Sequence, residues 1–185
     1  MAIPDFNHNH VLPPHLGDPR LPNDVSPYNC STYEFCQRLA TSHERITILK
    51  NFIAFRKKMD RHGIVDGFQW VDGSFTENVE ISLKRPPNDL DVVTFYRNIT
   101  NDQVIDIQAN FLDFVTPSLS KVNYQLDHYV VDFAYDPLIT VEQTRYWIQL
   151  FSHNRLDIWK GMLRLELNTP ADDHFALDYL NTIVL

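Results

Sequence analysis

The sequence lacks the features of membrane-spanning, secreted and zinc-binding proteins. It has no run of about 18 apolar residues, the length that a membrane helix needs. Its N-terminal residues contain neither the basic segment nor the apolar core of a signal peptide, so we expect a cytoplasmic protein that does not enter a membrane. Cys30 and Cys36 are its two cysteines, and we expect both to stay reduced. Without a Cys-x-x-Cys or His-Glu-x-x-His motif, a structural zinc site has no support.

Basic residues are also scarce. Sixteen Lys and Arg against twenty-four Asp and Glu leave a formal net charge of −8 in 185 residues. Such a balance disfavours binding along duplex nucleic acid, because phosphate neutralisation needs a basic surface. Carboxylates are instead the hard oxygen ligands that Mg²⁺ prefers. The length and a hydrophobic fraction of 44% indicate one globular domain.

Prolines concentrate at the N-terminus, where residues 1–27 hold six of the eleven. Proline removes a backbone donor and fixes φ, so we predict an extended arm over residues 1–30 that packs on a single domain of residues 31–185. Helical and strand patterns then interleave, which predicts an α/β (or α+β) fold, a mixed β-sheet flanked by helices. The predicted helices lie near residues 32–39, 43–62, 102–115, 141–153 and 171–181, and the predicted strands at 67–71, 90–96, 129–135 and 162–167.

A Gly-Ser turn and an Asp-x-Asp motif stand out among these elements. Gly73 and Ser74 follow the first predicted strand, and a glycine there lets backbone N–H groups approach a phosphate. Asp89 and Asp91 open the next strand, where side chains two residues apart share a face. Two adjacent carboxylates repel each other unless a cation lies between them, which indicates a Mg²⁺ (or Mn²⁺) site. The alternative is that Asp89 only serves the turn after the preceding prolines.

Asp132 is the candidate for a third carboxylate. It lies within the apolar strand predicted over 129–135, where an unpaired carboxylate would be costly. If this strand neighbours that of Asp89 and Asp91, the three carboxylates can hold two metal ions about 3.5–4 Å apart. The alternative for Asp132 is a buried, hydrogen-bonded carboxylate without a ligand.

A second set of polar residues follows the helix predicted over 141–153. His153, Arg155 and Lys160 supply cationic groups that suit a triphosphate. The alternative is that these residues oppose the dipole at a helix C-terminus.

Taken together, these motifs resemble the nucleotidyltransferase superfamily built on the DNA polymerase beta catalytic core. More narrowly, the chain resembles an uncharacterised group of small prokaryotic nucleotidyltransferase-like proteins. The segments that carry the resemblance are Leu12-Pro13-Pro14, Trp70-Val71-Asp72-Gly73-Ser74-Phe75, Pro87-Asn88-Asp89-Leu90-Asp91-Val92-Val93, Tyr146-Trp147, Leu150-Phe151-Ser152-His153-Asn154-Arg155 and Trp159-Lys160-Gly161.

The resemblance implies a minimal nucleotidyltransferase-like fold and a metal-dependent transfer of a nucleoside monophosphate from an NTP, with ATP as the expected donor. On this reading Asp89, Asp91 and Asp132 are the catalytic, metal-binding residues. The nucleotide-binding residues are Gly73, Ser74, Ser152, His153, Arg155 and Lys160. The acceptor stays open among an RNA end, a protein and a small molecule.

The superfamily also contains inactive members, so a non-catalytic binding protein is the alternative: an antitoxin, a regulatory subunit or a nucleotide sensor. Fold-level analogy suggests a toxin–antitoxin or antiphage setting. It also leaves open a cognate protein partner or a homodimer.

Overall fold

A five-stranded mixed sheet organises the computed structural model, which describes residues 3–184. Within this range the strands are β1 (Tyr28–Asn29), β2 (Gly67–Asp72), β3 (Leu90–Tyr96), β4 (Leu126–Asp132) and β5 (Leu163–Glu166). The helices are α1 (Thr32–Leu39), α2 (His43–Arg61), α3 (Val79–Ser82), α4 (Asn101–Asn110), α5 (Pro117–Tyr124), α6 (Pro137–Phe151) and α7 (Pro170–Thr182). The predicted α/β class with helices flanking a mixed sheet is confirmed.

The strand order across the sheet is β1-β5-β2-β3-β4. Strand β2 runs antiparallel to both β3 and β5, whereas β3 and β4 are parallel. Parallel neighbours need a long crossover, and here α4 and α5 form the connection between β3 and β4. As a result, the end of β2 and the beginnings of β3 and β4 meet at one edge of the sheet.

The helix boundaries follow local signals in the sequence. Ser31 and Glu34 form a capping box at the start of α1, and the Ser42 side chain accepts a hydrogen bond from the backbone N–H of Arg45 at the start of α2. Helix α2 ends before Gly63, whose φ of +73° is the left-handed conformation that stops a helix. The predicted helix over 102–115 is shorter than expected, because α4 ends at Asn110.

The two faces of the sheet are covered unequally. One face packs against α1, α2, α5 and α7 through the main apolar core, which includes Leu49, Phe52, Val71 and Val92. The other face carries a smaller cluster around Trp70, Val93 and Phe95, which packs against Trp147 and Phe151 of α6. This second face leads directly to the sheet edge where β2, β3 and β4 meet.

The N-terminal arm packs on the sheet domain along part of its length. Val11 and Leu12 are fully buried, and β1 pairs with β5 as a two-residue edge strand, a place that tolerates nearby prolines. Leu16 and Leu21 are about half exposed. Cys30 and Cys36 are buried and free. Met1 and Ala2 of the predicted arm and Leu185 of the predicted domain lie outside the described residues.

Candidate functional site

Four carboxylates meet where β2 ends and where β3 and β4 begin. Asp72 is opposite Asp91 in the β2–β3 pair, and Asp127 is opposite Asp91 in the β3–β4 pair. Directly opposed residues share a face of a sheet, and Asp89 precedes Asp91 by two residues and lies on the same side. We call Asp72, Asp89, Asp91 and Asp127 the acidic edge. It continues the face of the sheet that α6 covers.

The structure does not bring Asp132 to the acidic edge. Asp132 is opposite Tyr96, five residues along β4 from Asp127, which is about 16 Å at the rise of a strand. An odd number of residues also turns its side chain to the opposite face. There it accepts a hydrogen bond of 3.0 Å from the backbone N–H of Ala134. The expected convergence of Asp132 with Asp89 and Asp91 is therefore wrong.

Asp127 was missed because β4 begins three residues earlier than the strand predicted over 129–135. The strand predicted over 129–135 follows the apolar run, and Asp127 lies outside it. The alternation of Leu126, His128 and Val130 is the sequence signal that could have extended the strand. The register between β3 and β4 cannot be predicted from a local sequence pattern, because the paired residues are more than thirty residues apart in the chain.

Gly73 brings the backbone against the Asp91 carboxylate. It begins a short 3₁₀ turn over Gly73–Thr76 with φ of +76°. A Cβ atom at this position would overlap the Asp91 carboxylate, so both the conformation and the space require glycine. Ser74 follows in the same turn and is partly exposed. The structure thus brings the Gly-Ser turn against the Asp-x-Asp motif.

Lys160 supports this turn from the protein interior. Its side chain is 1% exposed, and its Nζ lies 2.8 Å from the carbonyl oxygen of Gly73, 2.9 Å from Oε1 of Glu77 and 3.1 Å from Oδ1 of Asp72. Burial alone would lower the pKa of Lys160, but the two carboxylates outweigh it and raise that pKa. Lys160 is thus a charged residue beneath the turn, and not an open contact for a phosphate.

The ammonium group of Lys121, on α5, lies among the carboxylates of the acidic edge. Its Nζ is 2.8 Å from Oδ2 of Asp89 and 3.5 Å from Oδ2 of Asp127. Burial, followed by the charges of Asp89 and Asp127, raises the pKa of Asp91 to about 6. The edge therefore concentrates negative charge, which Lys160 beside Asp72 and Lys121 beside Asp89 and Asp127 balance only in part.

The loop after α6 joins the same turn from the other side. The carbonyl oxygen of Ser152 accepts a 2.8 Å hydrogen bond from the backbone N–H of Lys160, and Nδ2 of Asn154 lies 3.5 Å from Oε2 of Glu77. The Ser152 hydroxyl contacts Nδ1 of His153 at 2.9 Å. An open concavity of about 600 Å³ lies here, lined by Tyr146, Gln149, Leu150, His153, Asn154, Arg155 and Asp157. His153 and Arg155 thus lie in an accessible depression, whereas Ser152 and Lys160 tie the loop to the Gly73 turn.

A family model described as a family of unknown function, DUF6932, matches residues 4–166. The chain belongs to this family. Neither the search of curated proteins nor the search of solved structures returned a match. The range matched by the DUF6932 model contains the acidic edge, Lys121, the Gly73 turn and the loop of residues 152–160, whereas α7 lies beyond it.

The donor types of this DUF6932 chain at the acidic edge fit a hard divalent cation. Asp89, Asp91 and Asp127 supply carboxylate oxygens, and a dication would stabilise the charged form of Asp91, which burial and the neighbouring carboxylates disfavour. Over residues 3–184, however, no group of three or more His, Cys, Asp or Glu side chains is arranged to hold a metal ion. The ammonium group of Lys121 pairs with two of the three carboxylates, those of Asp89 and Asp127. A cation would have to displace it.

Over residues 3–184, no helix has the length and apolar character that crossing a membrane requires.

Proposed function

We propose that this chain is a divalent-metal-dependent nucleotidyltransferase that moves a nucleoside monophosphate from an NTP to an acceptor. The observation that supports this most is the convergence of Asp91, Asp127 and the Gly73 turn where β2 ends and where β3 and β4 begin. Asp132, the third carboxylate expected from the sequence, is replaced in this proposal by Asp127. The proposal keeps Mg²⁺ or Mn²⁺ as the cofactor and ATP as the expected donor.

Each part of the site has a separate role in this proposal. Asp89, Asp91 and Asp127 would hold the cation, which when bound neutralises phosphate charge and favours deprotonation of an attacking hydroxyl. The turn that begins at Gly73 would orient the triphosphate, and Ser74 would contact it. His153 and Arg155 would bind phosphate or base from the adjoining concavity. Lys160 would act as a positioning residue, because its ammonium bonds the Gly73 carbonyl oxygen and not the solvent.

The setting expected from the sequence belongs to the same proposal: a cytoplasmic protein, in a toxin–antitoxin or antiphage module. The negative net charge favours a small acceptor footprint, such as an RNA end, a protein or a small molecule, over a long nucleic-acid groove.

One observation favours the non-catalytic alternative. The ion pairs of Lys121 with Asp89 and Asp127 give the edge a cation of its own. A binding protein or nucleotide sensor could use that arrangement without a metal. The two functions differ in whether Mn²⁺ binds and whether transfer follows.

Mn²⁺ titration followed by electron paramagnetic resonance tests the site directly. We expect the wild type to bind Mn²⁺, and Asp91→Asn and Asp127→Asn each to weaken binding by about tenfold or more, because carboxylate charge sets the affinity of such sites. Asp132→Asn is the matched control and should bind as the wild type does, since it lies on the other face of the sheet. Lys121→Met should bind Mn²⁺ more tightly, because it removes the competing ammonium.

Labelled NTPs then test the activity. Incubation with Mn²⁺ and cell lysate should transfer label to one class of molecule, and Asp127→Asn should abolish the transfer while Asp132→Asn retains it. Absence of Mn²⁺ binding by both the wild type and Lys121→Met would contradict the proposal and favour the binding protein. NTP binding without transfer or pyrophosphate release would favour the sensor.

A further inference from the structure

Helix α6 is apolar around most of its circumference, but the domain covers only one stripe of it. Trp147 and Phe151 are buried against the sheet. The large apolar side chains that remain exposed are Leu138 at 71%, Ile139 at 46%, Val141 at 62%, Tyr146 at 51%, Ile148 at 45% and Leu150 at 50%. The exposed side of a surface helix normally carries charged and polar residues. Contiguous apolar side chains exposed on one protein surface are typical of an interaction site.

The exposed side chains fall on two flanks of the helix. Tyr146 and Leu150 line the concavity beside the loop of residues 152–160 and belong to the site already described. The other flank carries Leu138, Val141, Arg145 and Ile148, at successive spacings of three, four and three residues. This spacing is that of the seam between two packed helices. We call these four residues the α6 seam.

The α6 seam is symmetric about Gln143. Leu138 and Ile148 each lie five residues from Gln143, and Val141 and Arg145 each lie two residues from it. In an antiparallel pair of α6 helices crossing at Gln143, Leu138 therefore faces Ile148 of the second copy. Val141 likewise faces Arg145. A twofold interface places the same surface on both partners, and the α6 seam meets this condition.

The charges on α6 complement each other under the same symmetry. Glu142 lies at the edge of the seam, one residue from the position that faces Arg145 of the second copy. Within one chain, Nε of Arg145 already lies 3.0 Å from Oε2 of Glu142, and both side chains are more than half exposed. An exposed pair of this kind contributes little to one chain alone. Between two copies, each Arg145 gains a second carboxylate and the apolar ends of the helix are covered.

We propose that two copies of this chain associate through antiparallel packing of α6, with Glu142 of each copy paired to Arg145 of the other. A 15-residue helix is about 22 Å long, so this contact is smaller than the ~800 Å² per partner of a standard interface. We therefore expect a dimer that dissociates in the micromolar range. The interface leaves the Tyr146 flank open toward the concavity, so its formation does not depend on the proposed catalytic function.

Sedimentation velocity of the full chain over a micromolar concentration series tests the dimer. The wild type should shift from monomer to dimer, and Ile148→Glu should stay monomeric, because it buries a charge in the seam. Circular dichroism should show Ile148→Glu folded, since the side chain is exposed in the single chain. Phe175→Glu is the matched control: it alters a 63% exposed aromatic on α7 and should leave the dimer intact.

Charge reversal tests the pairing itself. Glu142→Arg and Arg145→Glu should each fail to self-associate, because like charges then meet across the twofold axis. An equimolar mixture of these two variants should form heterodimers, and the double variant should again form homodimers. A wild type that stays monomeric throughout the series, or a mixture that does not associate, would overturn the proposal. Dimerisation that is unchanged in Ile148→Glu would overturn it as well, because another surface would then be responsible.

Discussion

Asp127 lies directly opposite Asp91 across the parallel strands β3 and β4. This pairing places two carboxylates side by side at the start of both strands, next to the turn that begins at Gly73. Like charges on directly opposite residues of neighbouring strands repel each other in the absence of a cation. The pairing therefore has consequences for stability as well as for binding.

The raised pKa of Asp91 predicts that the metal-free protein loses stability as the pH rises. Its carboxyl has a pKa of about 6 in the folded chain against 3.8 without the protein environment, so the folded state holds this proton more tightly. The contribution of Asp91 to the unfolding free energy should therefore fall between about pH 4 and pH 6 and then level off. Asp91→Asn removes this loss, so it should be more stable than the wild type by about 3 kcal/mol at pH 8 and nearly equal below pH 4.

Urea unfolding in the presence of EDTA at pH 8 and at pH 4 measures this difference. EDTA keeps the wild type free of divalent cations, which would otherwise stabilise the charged form of Asp91. Asp132→Asn is again the control, because it lies outside the acidic edge. An Asp91→Asn variant that is less stable than the wild type at pH 8 would show that the charged Asp91 carboxylate does not destabilise the folded chain.

Gly73→Ala should remove metal binding because it disturbs the contact with Asp91. An alanine at φ of +76° costs about 1–2 kcal/mol in backbone strain, and its Cβ would overlap the Asp91 carboxylate. Gly63→Ala is the matched control: it has φ of +73°, but its Cβ would meet only the side-chain amide of Gln103, which can move. Both variants should lower the unfolding free energy, and only Gly73→Ala should lose Mn²⁺ binding. Unchanged Mn²⁺ affinity in Gly73→Ala would show that metal binding does not depend on the conformation of the Gly73 turn.

Local sequence signals predicted most of the elements in this fold. The strand predicted over 90–96 has the same bounds as β3, because β-branched and aromatic residues fill it and a Pro-Pro-Asn-Asp segment precedes it. Helix α2 likewise begins after Ser42 and ends before Gly63, close to the helix predicted over 43–62. Each of these boundaries depends on residues that are close together in the sequence.

The composition of the site depended on contacts between distant residues. The register of the parallel strands β3 and β4 decides whether Asp127 or Asp132 lies opposite Asp91. Because the two aspartates are five residues apart on β4, they lie near opposite ends of that strand and on opposite faces of the sheet. The environment of Lys160 is decided by Asp72 and Glu77, more than eighty residues earlier in the chain. Residue type alone predicts that Lys160 is a cation that suits a phosphate, whereas the fold buries its ammonium group beside Asp72 and Glu77.

Variants of Lys160 and Arg155 test whether Lys160 stabilises the fold while Arg155 contacts the nucleotide. Lys160→Met leaves the buried carboxylates of Asp72 and Glu77 without their counter-charge, so it should lower the unfolding free energy by about 3–5 kcal/mol. Arg155→Met alters an exposed side chain of the concavity and should change that free energy by less than about 0.5 kcal/mol. Urea unfolding gives both values, and titration with a fluorescent NTP at neutral pH should show weaker binding by folded Arg155→Met. If Lys160→Met were as stable as Arg155→Met, the ion pairs beneath the Gly73 turn would not stabilise the folded protein. Lys160 would then be free to contact the nucleotide itself.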